Sequence, residues 1–294
     1  MPHLRTAALA LAAGLMLAAA PAAAQTLPGG SGGQPTDINA DQAIEWHQDV
    51  KAYVARGNAS AKRGDTTLYG DVLTAYYREV AGKGNEVFQI VSEGKVRIVG
   101  PTQQVYGDHL VYDMDKQVAV VTGKDLKLVT AQDVVTARDT LEYYDAQGLA
   151  VARGEAVAVR ADRRLRADVL IGQFAKGPDG KSQMNRIDGT GNVVVTTATD
   201  VARSDKLVYS VPDNTAVLLG SVRITRGDNQ LNGDAAEMNM TTKINRVIAG
   251  PATGGRVKGL LIPGEIQAEA SPSAPGKSGT APKAAPRAAP KADQ

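Results

Sequence analysis

The sequence predicts an all-β protein: an open antiparallel β-jelly-roll of bent strands, two facing sheets built from internal repeats. Three observations predict it: a period of two in the apolar residues, a tandem repetition of the chain, and short turn sequences between the repeats. The period of two is clearest where Ala216, Leu218, Gly220, Val222 and Ile224 share one parity while Ser221, Arg223 and Thr225 take the other. It recurs in Ala150, Ala152, Gly154, Ala156 and Ala158, opposite Arg153 and Glu155. Such alternation marks a strand with one buried and one solvated face. The parity runs through Gly154 and Gly220 without a slip, and a slip would turn every later side chain to the wrong face. These glycines are therefore expected to bend a continuing strand. Around Gly123 the pattern shifts by one, which predicts a bulge.

The repetition is explicit. "ARGNASAKRGDTTLYGDVL", starting at Ala55, returns 97 residues later as "ARGEAVAVRADRRLRADVL", starting at Ala152, with eleven of nineteen positions identical. An Asp precedes an alternating segment at Asp71, Asp108, Asp139, Asp168, Asp205 and Asp234, at intervals of 37, 31, 29, 37 and 29. Repetition of this size builds stacked supersecondary units. The recurring Asp residues read as turn residues, because Asp bonds its own nearby backbone.

The reversals fall at "MDKQ" (114–117), "DAQG" (145–148) and "PDNT" (212–215) on one side. On the other side they fall at "TAQD", "TATD" and "RGDN". Longer hairpins are expected at "VAGKGNE" and "KGPDGKS". Short connections favour antiparallel pairing, since parallel neighbours need a long crossover. A parallel β-helix, whose coils also turn on short corners, is the competing architecture.

The chain ends read differently from this body. Residues 1–24 have a short apolar run after Arg5 and end in small residues, as a cleavable signal peptide does. Residues 25–36 form a flexible lead, 37–267 the β-domain, and 268–294 an Ala/Pro/Lys tail too poor in apolar residues to fold. The mature chain is therefore expected to be exported. With no cysteine, the fold must rest on burial and hydrogen bonds, and a lipoprotein anchor is excluded. The whole chain is +2, Arg5 contributes +1 and the tail +2, so the body is −1. A near-neutral body excludes a dedicated nucleic-acid binder.

Catalytic signals are missing. His47 and His109 lack a metal-ligand spacing, no Ser sits in a G-x-S-x-G setting, and no Walker A sequence is present. No cofactor is expected, and energy for any transport must come from a partner. Trp46 reads as a packing residue, and both "RGD" triplets as turns.

"INADQAIEW" followed by "GNASAKRGDTTLYGDVLTAYY", the unit "GDHLVYDMDKQVAVVTG", and the closing "RVIAGPATGGRVKGLLIP" resemble the OstA-like (LptA) family of periplasmic lipopolysaccharide transport proteins. The resemblance spans about Asp37 to Pro263. It implies a non-enzymatic bridge that carries lipopolysaccharide by its lipid A acyl chains from an inner-membrane export complex toward the outer-membrane assembly machinery. It also implies strand pairing with LptC at the N-terminal edge and LptD at the C-terminal edge, and head-to-tail self-association. The Ala/Pro/Lys tail and Arg246 depart from the pattern.

With that role, parity assigns a lipid-lining face. Its candidates are Ala59, Ala61, Val96, Ile98, Leu126, Leu128, Ala156, Ala158, Val193, Val195, Val222 and Ile224. Leu73, Leu110, Tyr112, Leu141, Tyr143, Leu170, Leu207 and Tyr209 lie on the facing segments. A sealed dry core is the other reading of the same residues. Arg160, Arg163, Arg164 and Arg166 could meet lipid A phosphates, or form a solvated turn. Asp37, Ile38, Asn39 and Ala40 mark the N-terminal edge strand. Arg256, Val257, Lys258, Leu260 and Ile262 mark the C-terminal one. Two other functions compete: an LptC-like or LptD N-terminal-domain-like component of the same pathway, and a β-solenoid enzyme acting on polysaccharide through paired acids.

Overall fold

The computed structural model describes residues 36–262 except 83, 178–181, 240, 243–244 and 251–254. The expected signal peptide, all but the last residue of the expected lead, and the expected tail lie outside the described residues, as does most of "KGPDGKS". Among the described residues eighteen strands make a continuous antiparallel meander. It opens with β1 (Asp37–Asn39) and β2 (Ala43–His47), followed by β3 (Ala52–Arg63), β4 (Thr66–Val80), β5 (Gly84–Val99) and β6 (Gln103–Asp113). The middle holds β7 (Val118–Thr122), β8 (Leu126–Thr130), β9 (Asp133–Ala137) and β10 (Thr140–Tyr144). Then come β11 (Leu149–Arg160), β12 (Arg163–Lys176), β13 (Ser182–Thr196), β14 (Asp200–Ser210), β15 (Thr215–Arg226) and β16 (Asn229–Asn239). It closes with β17 (Asn245–Ile248) and β18 (Lys258–Leu260). The reversals at 114–117, 145–148 and 211–214 fall where the turn sequences place them.

Each long strand is bent at its middle and gives its two halves to two facing layers. The short strands are halves of the same kind. β1 and β2 both pair with β3, β7 and β8 both with β6, β9 and β10 both with β11, and β17 and β18 both with β16. The first layer therefore runs from β2 to β17 and the second from β1 to β18. At ~4.8 Å between neighbours, the stack extends roughly 60 Å perpendicular to its strands.

The bend has a local cause. In β11 the register jumps from Arg153 to Ala156 while the partner passes from Val169 to Ala167, so Gly154 and Glu155 together oppose Asp168 alone. Both take left-handed backbone, with φ of 84° and 48°. The same two-residue bulge occurs at Gly220–Ser221, with φ of 78° and 49°. Two residues opposing one amount to a single extra residue, so the bulged strand keeps its own alternation (Ala152 and Ala156 inward) while the partner shifts by one across its Asp (Leu170 and Ala167 inward), which is why the apolar alternation runs through both glycines. At Gly123 the strand is interrupted instead, between β7 and β8.

The recurring Asp residues do not serve turns. Asp71, Asp108, Asp168, Asp205 and Asp234 lie inside β4, β6, β12, β14 and β16, and only Asp139 precedes a strand. Each stands at the bend, against a glycine in or just after the following strand. A Cβ on Gly154 would come within 2.3 Å of Asp139 Oδ2, and one on Gly220 within 2.3 Å of Asp205 Oδ2. The residue after the glycine often closes the contact. Asn192 Nδ2 donates to Asp168 at 2.9 Å, Ser221 Oγ to Asp205 at 3.3 Å, and Asn58 Nδ2 to Asp41 at 2.7 Å. The repeat is thus a bending unit, with Asp on one strand and Gly-x on the next.

The inner faces of both layers merge into one apolar cluster. Ala152 and Ala156, on either side of the bend in β11, belong to it, as do Leu218 and Val222 of β15. Small side chains let the layers approach, and branched ones interlock between them.

Candidate functional site

Twelve of the lining candidates (Ala59, Ala61, Val96, Ile98, Leu110, Leu126, Ala156, Val193, Val195, Leu207, Val222 and Ile224) are at most 6% exposed and share the single inner cluster. Leu128 and Ala158 pack against it. Parity thus puts all of them on the faces that look across from one layer to the other, and there they fill the space themselves.

The rims of the interior are polar. Where the inner parity reaches the turns of the second layer, Arg160 forks onto both carboxylate oxygens of Asp133. Arg226 does the same with Asp200, at 2.6 and 2.8 Å. Asp200 is only 3% exposed. Both acids close a local turn with a Thr three residues earlier: the Asp133 backbone N–H donates to Thr130 Oγ1 at 2.9 Å, and that of Asp200 to Thr197 Oγ1 at 3.0 Å. On the first layer the rim carries Tyr112, Tyr143 and Asp145. Burial, seconded by the Asp145 charge, pushes the Tyr143 phenol up to about 12. Burial likewise raises the Asp145 carboxyl above its ordinary range, against a hydrogen bond from Tyr143. Tyr112 is raised by burial and then by Asp145, while Arg63 at the turn end of β3 pulls it back. Side chains from the rims of both layers therefore sense one another at this point.

The arginine cluster is divided by strand alternation. Arg160 and Arg163 flank the β11–β12 turn at inner parity, whereas Arg164 and Arg166 point outward on β12. Arg166 bonds Glu155 at 3.1 Å. Sequence proximity therefore does not bring the four together. The Asp200–Arg226 pair is not evident from local sequence, although "TAQD" and "TATD" recur 67 residues apart, each with an Arg 26 or 27 residues further on.

Among the described residues nothing pairs with the outer edges of the end strands. Among the described residues β1 and β2 pair only with β3, and β17 and β18 only with β16. Asp37, Ile38 and Asn39 form β1, with Ala40 next to it. Lys258 and Leu260 lie in β18, Arg256 and Val257 lead into it, and Ile262 follows it. Register aligns Ile38 with Ala61, Ile44 with Ala55 and Trp46 with Tyr53, all on the inner face. Their exposures are 40%, 57% and 56%. Trp46 is therefore not sealed in the core. Its indole N–H donates to Tyr77 Oη at 2.7 Å and its ring stacks 6.0 Å from Tyr53. At the far end Gly259 faces Leu231 on the inner side, and Val257 and Leu261, which flank β18 outside its pairing, are 43% and 52% exposed. Among the large apolar side chains that stay exposed, only Val134 and Leu219 lie in the middle strands.

Within the described residues the chain is thus a two-layered β-stack with an apolar interior, polar rims, and end strands paired on one side only. The model of the LptA/(LptD N-terminal domain) LPS transport protein family matches residues 37–139 and 134–244, and this chain belongs to that family. It is a lipopolysaccharide transport component. Among solved structures it is similar to LptH, the LptA homologous periplasmic component of the conserved lipopolysaccharide transport device from Pseudomonas aeruginosa. That match has 18% identity and a TM-score of 0.39, covering 45% of this chain and 95% of the other. Comparison with curated proteins gave no match.

Proposed function

We propose that this chain is a periplasmic bridge segment that shelters the lipid A acyl chains of lipopolysaccharide between its two layers and passes them on through its open ends. The observation that carries this reading is the continuity of the inner apolar face from the buried cluster out to exposed Ile38, Ile44 and Trp46 at one end. Each buried methylene that would otherwise meet water is worth about 0.8 kcal/mol, so a lipid with several long chains needs such a path. Acyl chains take the place of contacts between the layers, which part along their rims. The polar rim groups then meet the sugar and phosphate headgroup. The β1–β2 end accepts a strand of LptC, the β17–β18 end one of LptD, and a second copy can extend the stack head to tail. The protein does no covalent chemistry.

A photo-crosslinking residue at Val193 or Ile98 in living cells is expected to capture lipopolysaccharide, while one at Arg97, facing outward from the same strand as Ile98, is not. Equal capture at all three positions would refute the assignment of the inner face.

A further inference from the structure

The outer faces of the two layers differ in charge. On the first layer, one cross-strand row contains Glu45, Glu142, Asp188 and Glu237. On the second, the register carries a single outward row from Tyr69 to Lys258 that holds Arg97, Lys127, Arg166, Arg203, Arg223 and Lys258, and no acid. Three of these cations are engaged. Arg97 lies 4.4 Å over the Tyr69 ring, Lys127 lies 5.0 Å over Tyr106, and Arg166 bonds Glu155.

Arg203 and Arg223 stand apart. They are directly opposite each other on β14 and β15, both exposed, and among the described residues neither has a carboxylate within ion-pair distance. Like charges directly opposite across a strand pair are destabilising. Between them lies a surface pocket of about 210 Å³, lined by Val201, Arg203, Arg223 and Thr225. The wall of the recess is mostly apolar, and the two arginines and Thr225 at its border carry the donor types, guanidinium forks and a hydroxyl, that a tetrahedral oxyanion takes up. The remaining cations of the row raise the local concentration of anions.

We propose that Arg203 and Arg223 bind a phosphate group on the outer face of the second layer, apart from the interior. The ligand class is a phosphomonoester, held by both arginines and by Thr225. The site does not depend on whether the interior carries acyl chains.

The test uses the full mature chain and thermal unfolding in phosphate against chloride at equal ionic strength. Saturating phosphate is expected to raise the wild-type melting temperature by about 2–4 °C or more. R203Q/R223Q should lose this rise while melting no lower than wild type without phosphate, because the like-charge contact is gone. R153Q, on the other layer, should keep it. R203K/R223K retains charge but not the forks and should respond less. Flotation with phosphatidylcholine vesicles containing phosphatidic acid separates the sources. Co-flotation that is lost in R203Q/R223Q assigns a lipid headgroup. A phosphate-dependent rise without co-flotation assigns a soluble phosphorylated ligand. No phosphate-specific rise in wild type, or the same rise in R203Q/R223Q, overturns the proposal.

Discussion

At Gly220 the backbone has a φ of 78° and an added Cβ would lie 2.3 Å from Asp205 Oδ2. Left-handed strain and the clash act together there. Gly220→Ala is expected to cost about 2–4 kcal/mol in urea unfolding. In an Asp205→Gly background only the strain remains, and the cost should fall to about 1–2 kcal/mol. Two acids give opposite pH signatures. Burial works against the charge of Glu142, yet hydrogen bonds from Thr140, Arg153 and Tyr144 hold its carboxyl below the ordinary range. A depressed folded pKa contributes stability that is present above the unfolded pKa of ~4.3 and lost as pH falls through the folded value. Glu142→Gln should therefore cost about 2 kcal/mol at pH 7 and progressively less on acidification. Asp145 has the reverse sign. Its carboxyl is raised, so folding favours the protonated form and its contribution is lost as pH rises. Asp145→Asn should unfold at a higher temperature than wild type at pH 7, with the difference closing below about pH 4.

At the scale of elements, the strands and their reversals were legible because a period of two and short turn sequences are local signals. The inner face was legible too, since the strands that carry Gly154 and Gly220 keep their own alternation through the bulge, the shift falling on the partner strand at Asp168 and Asp234. What eluded the sequence was long-range register. Asp168 looks like a turn residue beside its own neighbours. Its role against Gly191 becomes visible only when β12 and β13 are aligned. The arginine run around Arg163 misled for the same reason, since alternation sends Arg164 and Arg166 outward while Arg160 finds Asp133 on β9. The buried fork at the end of β14 also has a measurable consequence. Asp200→Ala leaves Arg226 without its carboxylate and should destabilise by about 3 kcal/mol, whereas Asp200→Leu with Arg226→Leu should lose less. Equilibrium unfolding of the two variants decides it.

For the whole molecule, the central matter is how a stack with a filled interior admits a lipid. The terminal strands differ from the rest in leaving inner-face apolar groups in water. Ile44→Lys should change stability by no more than about 0.5 kcal/mol, since Ile44 is exposed, yet it should lower the capture of lipopolysaccharide at Val193. Unchanged capture would separate the β2 end from the lipid path. Trp46, the sole tryptophan, reports directly on that end. It is 56% exposed on the inner face of β2. Its fluorescence on titration with lipopolysaccharide is the most direct measurement: acyl chains arriving beside the indole should shift its emission to the blue in a saturable manner, and de-acylated sugar should not. An emission that stays unmoved at saturation, or that moves equally with the de-acylated sugar, contradicts the claim that the apolar interior and its open end carry the lipid.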